Sequence, residues 1–173
     1  MRKKRTRGLK PGELADALDA IVVETFKDAY EELEPQFKTL ERRLLARENS
    51  AFMRRAIRRR IAERLFTEAY ARNCPWPVFG RTLRRIQRLG YSDVERRFHV
   101  AALYAHWSHR HPEHDSAEAR ELLDEAERRI RRLPRGHPYR VELLENLRAL
   151  RAQAGFAAAA ARSLRRGLPS ESG

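Results

Sequence analysis

The chain has few of the residues that build disulfides, cysteine-based metal sites or membrane spans. Only one of its 173 residues is a cysteine, Cys74, which excludes an intrachain disulfide and a zinc site made of several cysteines. Glycine and proline number 8 each, and aromatic residues make up 8%. No apolar run reaches the roughly 18 residues of a membrane span, and none follows the basic start as in a secretory signal. We therefore expect a protein of the reducing cytoplasm.

The chain is instead rich in charge and in apolar residues at helical spacing. Charged residues make up 35% and hydrophobic residues 42%, which is typical of amphipathic helices. Apolar positions recur every three or four residues between Leu14 and Leu150. The pattern predicts an all-α fold, a helical bundle of about seven or eight helices. We expect Pro35 to close the first helix and NCPWPVFG, residues 73–80, to form a loop. Asn49 or Ser50 is expected to cap the third helix, and Gly90 to end the short helix after the loop.

The same pattern suggests four segments along the chain. We expect residues 1–10 to form a disordered basic tail and residues 11–90 to form an N-terminal helical half with a basic face. We expect residues 91–168 to form C-terminal helical hairpins and residues 169–173 to form a flexible tail.

Positive charge is in excess and unevenly distributed. The formal net charge is +13, and 32 of the 37 basic residues are arginine. Residues 1–10 carry +6, residues 11–41 carry −7, and residues 42–90 carry +11 from fourteen arginines and three acids. Such an excess favours a polyanionic partner, RNA or DNA. The alternative is that the acidic helix simply packs beside the basic ones and neutralises part of their charge.

Two arginine-rich helical segments are the candidate contact region. RRAIRRR, residues 54–60, lies on the polar side of its helix, and RTLRRIQRLGYS, residues 81–92, resembles the second helix of helix-turn-helix domains, especially of the transposase and winged type. The resemblance implies that this helix lies in a DNA major groove. The alternative is a short amphipathic helix with solvated arginines. The predicted nucleic-acid-binding residues are Arg54, Arg55, Arg58, Arg59, Arg81, Arg84, Arg85 and Arg88.

The C-terminal half has a different pattern. Residues 116–134 and 144–169 resemble helical hairpins of the tetratricopeptide type, with Ala119, Leu123 and Ala126 in one and Leu147 in the other at packing positions. Small residues, Gly155 and Ala160, continue the second pattern to Leu164. The resemblance implies tetratricopeptide-like hairpin packing and, as an alternative function, a protein-protein interaction adaptor whose basic face meets an acidic partner.

Four histidines cluster in HWSHRHPEHD, residues 106–115. His106 and His109 have the spacing of a helical zinc pair, but Pro112 should end the helix there and Asp115 has the position of a cap on the next one. We therefore interpret the stretch as a turn between helices and predict no metal site.

Glycine-rich phosphate loops and catalytic motifs are missing from the sequence, so we predict a non-enzymatic protein without cofactor. We expect it to be an accessory subunit of a nucleoprotein complex.

Overall fold

The computed structural model describes residues 11–24, 30–111, 114 and 117–166, with side chains described to residue 153 and not at positions 11 and 24. Every regular element in this part of the chain is a helix, so the predicted all-α helical bundle is confirmed. Both predicted tails, residues 1–10 and 169–173, lie outside the described residues. The seven described helices are α1 (Pro11–Glu24), α2 (Tyr30–Arg47), α3 (Ala51–Ala71), α4 (Trp76–Leu89), α5 (Val94–Arg110), α6 (Ala117–Arg131) and α7 (Arg140–Arg166).

The chain divides into two compact units, residues 1–92 and residues 93–173. In unit 1, α3 packs against both α2 and α4, and α1 lies against α2 and α3. Three phenylalanines from different helices, Phe37, Phe66 and Phe79, are fully buried in its core. The rings of Phe66 and Phe79 are 4.9 Å apart between centroids. This contact fixes the C-terminal half of α3 against the start of α4.

Pro35 does not end a helix as predicted. In the described residues α1 spans Pro11–Glu24 and α2 spans Tyr30–Arg47, with Pro35 inside α2. Leu33 and Phe37 on either side of the proline are both fully buried. Their burial stabilises a continuous helix although Pro35 cannot donate a backbone hydrogen bond. Tertiary packing therefore overrides the helix-ending tendency of this proline.

The predicted loop at residues 73–80 is also mostly helix. The turn after α3 is short, and Asn73 in a left-handed conformation (φ 51°) reverses the chain there. Helix α4 then begins at Trp76 with Pro77 in its first turn, where a proline is tolerated because that N–H has no helical partner. Gly80 lies under the Trp76 ring, and a β-carbon there would be 3.0 Å from it. The apparent loop residues thus build the first turns of α4.

Two helix boundaries of unit 1 were predicted correctly. Ser50 caps α3 by accepting a hydrogen bond from the Met53 amide at 3.3 Å. Gly90 ends α4 with φ +73° and ψ 161°, a conformation accessible almost only to glycine.

Unit 2 is built from α5, α6 and α7, and each of the three contacts the other two. Its core joins Phe98 of α5 to Leu123 and Ile130 of α6 and to Leu147 of α7. The tetratricopeptide-like packing predicted for this half is not confirmed, because residues 140–166 form one uninterrupted helix and not a hairpin. The packing expected at Gly155, Ala160 and Leu164 lies outside the described side chains.

Candidate nucleic-acid interface

Helices α3 and α4 form an antiparallel hairpin that carries all eight predicted binding arginines. Phe66 in the C-terminal half of α3 contacts Phe79 near the start of α4. At the opposite end, Arg55 and Arg59 of α3 reach the carbonyl of Leu89, the last residue of α4. The two helices therefore lie side by side along their length. We call the end formed by the first turns of α3 and the last turn of α4 the open end of the hairpin.

Three of the eight arginines hold helix ends in place. Arg54 Nη1 donates to the carbonyl of Leu45, in the last turn of α2, at 2.7 Å and to that of Glu48, just after the helix, at 3.1 Å. Arg55 Nη2 and Arg59 Nε donate to the Leu89 carbonyl at 3.3 Å and 3.2 Å. A cation at a helix C-terminus satisfies unpaired carbonyls and interacts favourably with the helix dipole. These side chains are consequently ordered by the fold itself.

Two arginines of α4 pair with acids of α2. Arg81 lies 2.7 Å from a Glu34 carboxylate oxygen, and Arg85 lies 2.5 Å from one of Glu41. Burial alone would raise the pKa of Glu34, but hydrogen bonds and charges from Lys38 and Arg81 outweigh it and the pKa is lowered. Two acids of α2 therefore neutralise part of the basic surface, in the way that the alternative interpretation of the charge pattern predicted.

The remaining three arginines, Arg58, Arg84 and Arg88, are exposed. None of them makes an ion pair with another residue in the described part of the chain. On α4, Arg84 and Arg88 line a shallow surface depression of about 470 Å³ together with Arg81 and Gln87. The spacing of four residues places Arg84 and Arg88 on one face, and Arg88 Nε donates to the Arg84 carbonyl at 3.4 Å. This uncompensated positive charge is concentrated along α4 and at the open end.

The hairpin differs in geometry from a helix-turn-helix motif. Helices of that motif cross at roughly 90–120°, whereas α3 and α4 stay in contact from Phe66 and Phe79 at one end to Arg55 and Leu89 at the other. Models of known protein families, curated proteins and solved structures give no match to this chain. The resemblance of residues 81–92 to a recognition helix therefore has no support from geometry or from similar proteins.

The histidine-rich stretch closes α5, as the turn interpretation predicted. His111 caps the helix, its amide donating to the Trp107 carbonyl at 3.1 Å, and the His114 amide donates to the His111 carbonyl at 3.0 Å. Both imidazoles lie against the buried Trp107 ring, at centroid distances of 4.1 Å and 5.2 Å. Among the described residues no group of three potential ligands could hold a metal ion. Pro112 and Asp115 lie outside the described residues.

Cys74 lies in the short turn between α3 and α4 and is buried. Burial and the nearby Glu31 carboxylate raise the pKa of its thiol to about 11. A thiol with such a pKa is almost entirely protonated at neutral pH and is a poor nucleophile. Its surroundings therefore favour a packing role.

One exposed residue at the open end was not predicted as part of the site. Phe52, in the first turn of α3, is 79% exposed. Its sequence signal was an apolar residue outside the stripe that begins at Met53 and continues at Ile57. A single apolar residue off the stripe is common at protein surfaces, so this signal alone did not identify it.

None of the helices in the described ranges is both long and apolar enough to cross a membrane.

Proposed function

We propose that this chain is a non-catalytic, cytoplasmic nucleic-acid-binding protein that serves as an accessory subunit of a nucleoprotein complex and contacts the phosphate backbone through arginines of the α3–α4 hairpin. The observation that carries the proposal is that Arg58, Arg84 and Arg88 remain exposed and without an ion pair in the described residues, although acids of α2 in the same unit pair with two other arginines of α4. An uncompensated basic surface on a rigid support is the electrostatic footprint expected of phosphate binding.

Arginine suits this role because its planar guanidinium donates two parallel hydrogen bonds to one phosphate. Arg55 and Arg59 each use one N–H group on the Leu89 carbonyl. A guanidinium has five N–H donors, so such a cap also leaves donors for a phosphate. Because the cap orders the side chain before binding, less conformational entropy is lost when the phosphate arrives. The capping arginines thus have a structural role and a proposed binding role.

The test replaces only arginines that no described contact requires for folding. The triple variant Arg58→Ala, Arg84→Ala, Arg88→Ala should keep the helical circular dichroism spectrum of the parent. Its affinity for RNA and DNA should fall for all sequences alike, and the slope of log affinity against log salt should become shallower by about 2–3 because roughly one counterion is released per phosphate contact. Fluorescence anisotropy with labelled oligonucleotides at several salt concentrations measures both quantities.

A matched control removes the same charge from unit 2. Arg120, Arg135 and Arg148 are exposed there, and their triple alanine variant should change affinity much less than the hairpin variant. Equal losses in both variants would mean that net charge alone attracts the nucleic acid. If the parent binds neither RNA nor DNA at physiological salt, the proposal is wrong, and a protein-protein interaction adaptor with an acidic partner becomes the better hypothesis.

A further inference from the structure

Phe52 is the most exposed of the large apolar side chains in the described residues, at 79%. Its backbone position is fixed although its ring is in solvent. Ser50 caps the helix at the Met53 amide, and the Ser50 amide in turn donates to the Glu48 carboxylate at 2.8 Å. A helix start held in this way presents the ring with little backbone freedom to lose on binding.

The ring shares its helix face with two ordered arginines. Arg55 and Arg59 follow Phe52 by three and seven residues, which places all three side chains on one side of α3. Both guanidinium groups are held at the Leu89 carbonyl, and their Nη2 atoms lie about 4 Å from where a β-carbon of Gly90 would be. In the described residues neither arginine makes an ion pair. An exposed aromatic ring therefore shares one helix face with two positioned and uncompensated cations.

We propose that Phe52 stacks on an unpaired base of single-stranded nucleic acid while Arg55 and Arg59 contact the adjoining phosphates. This inference rests on the proposed function and specifies its substrate class. Every base has a π-face, so an aromatic platform beside cations binds single strands with little sequence preference. In a duplex the bases stack on one another and present only their edges, so the ring gains nothing there.

The experiment compares single and double strands with full-length protein. The probes are a labelled oligothymidylate, an oligouridylate and a DNA duplex of mixed sequence, followed by fluorescence anisotropy at one fixed salt concentration. Phe52→Ala should weaken binding of both single strands by about 5- to 150-fold, the range that alanine substitution of a stacking aromatic produces, with little change for the duplex. Phe52→Trp should preserve the affinity, and its added fluorescence should be quenched by the single strands beyond any quenching in the parent.

Two further variants separate stacking from general surface effects. Phe52→Leu keeps an apolar side chain without an aromatic face and should lose nearly as much affinity as Phe52→Ala. Tyr139→Ala removes an exposed aromatic of unit 2 and should have no effect. Unchanged single-strand affinity of Phe52→Ala, or equal losses for single strands and duplex, would overturn the stacking role while leaving the proposed function standing. A parent protein that binds none of the probes would overturn both.

Discussion

The ion pairs between α2 and α4 should stabilise the fold and, at the same time, weaken the binding of nucleic acid. Glu34 and Glu41 hold Arg81 and Arg85 at 2.7 Å and 2.5 Å, so these acids occupy guanidinium donors that a phosphate would otherwise use. The double variant Glu34→Gln, Glu41→Gln removes both ion pairs, weakens the hold on both arginines and raises the net charge by two. It should therefore be less stable than the parent and bind nucleic acid more tightly.

The size of the stability loss follows from the burial of the pairs. Glu41 and Arg85 are 15% and 24% exposed, whereas Arg81 is 54% exposed and its pair with Glu34 is better screened. Exposed pairs contribute about 0.2–1 kcal/mol and hydrogen bonds to charged groups about 1.5–3 kcal/mol, and glutamine keeps part of the hydrogen bonding. We expect a total loss of about 1.5 kcal/mol in the free energy of unfolding, which lowers the melting temperature of a unit of this size by about 6–12 °C.

The binding change is measured by anisotropy at several salt concentrations. Two additional phosphate contacts should make the salt slope steeper by about 1.4–1.8. The control is Glu125→Gln, Glu127→Gln, which changes the charge equally at two acids of unit 2 that pair with Arg129 and Arg131. A Glu34 and Glu41 variant that loses stability but keeps the affinity and slope of the parent would refute the reasoning, because the released arginines would then not reach the phosphates.

Two more predictions concern a backbone position and a carboxylate. Gly90→Ala should lower the free energy of unfolding by about 1–3 kcal/mol, because its φ of +73° is accessible almost only to glycine, whereas Gly12→Ala, with open space around it, should not destabilise; thermal melts compare the two. Hydrogen bonds from Arg129 and Arg128 lower the pKa of Glu125 from 4.5 to about 2, so its ionised form stabilises the fold above pH 4.5 and this stabilisation is lost as the pH falls towards 2. A carboxyl titration by NMR should give this low pKa, and Arg128→Gln with Arg129→Gln should return it towards 4.5; an unchanged pKa would contradict the assignment.

Most of the fold could be predicted because apolar spacing and capping residues act locally. The stripe of α3, the cap at Ser50 and the end of α4 at Gly90 were all predicted from a few neighbouring residues. Both errors in unit 1 came from prolines. Pro35 and Pro77 signal breaks, yet the first is held in a helix by the burial of its neighbours and the second lies in a first turn. When the burial of neighbouring residues outweighs a local helix-ending signal, the sequence pattern alone does not predict that the helix continues.

The sequence shows which helices are rich in arginine, but it does not show what each arginine contacts. The contact of Arg55 with Leu89 joins residues 34 positions apart, and that of Arg81 with Glu34 joins residues 47 apart. No periodicity in the sequence encodes such partners, since they depend on the antiparallel packing of α3 on α4 and on the approach of α2. Phe52 was missed for a related reason, because its significance depends on which arginines lie beside it in space.

The ion pairs divide the arginines of α4 into two groups, one paired with acids and one without ion pairs in the described residues. Arg81 and Arg85, four residues apart, lie towards α2 and meet its acids, while Arg84 and Arg88, one helical step away, keep their charge uncompensated. Arg55 at the open end is fixed on the Leu89 carbonyl and, like Arg84 and Arg88, makes no ion pair in the described residues. In the proposed complex, a nucleic acid that runs along α4 would contact the exposed Arg84 and Arg88 and then the ordered Arg55 at the open end. Its bases would then lie near Phe52. For this reason the comparison of single strands with a duplex is a sharper test than affinity alone. It separates binding at the α3–α4 hairpin from general attraction of nucleic acid to a basic protein.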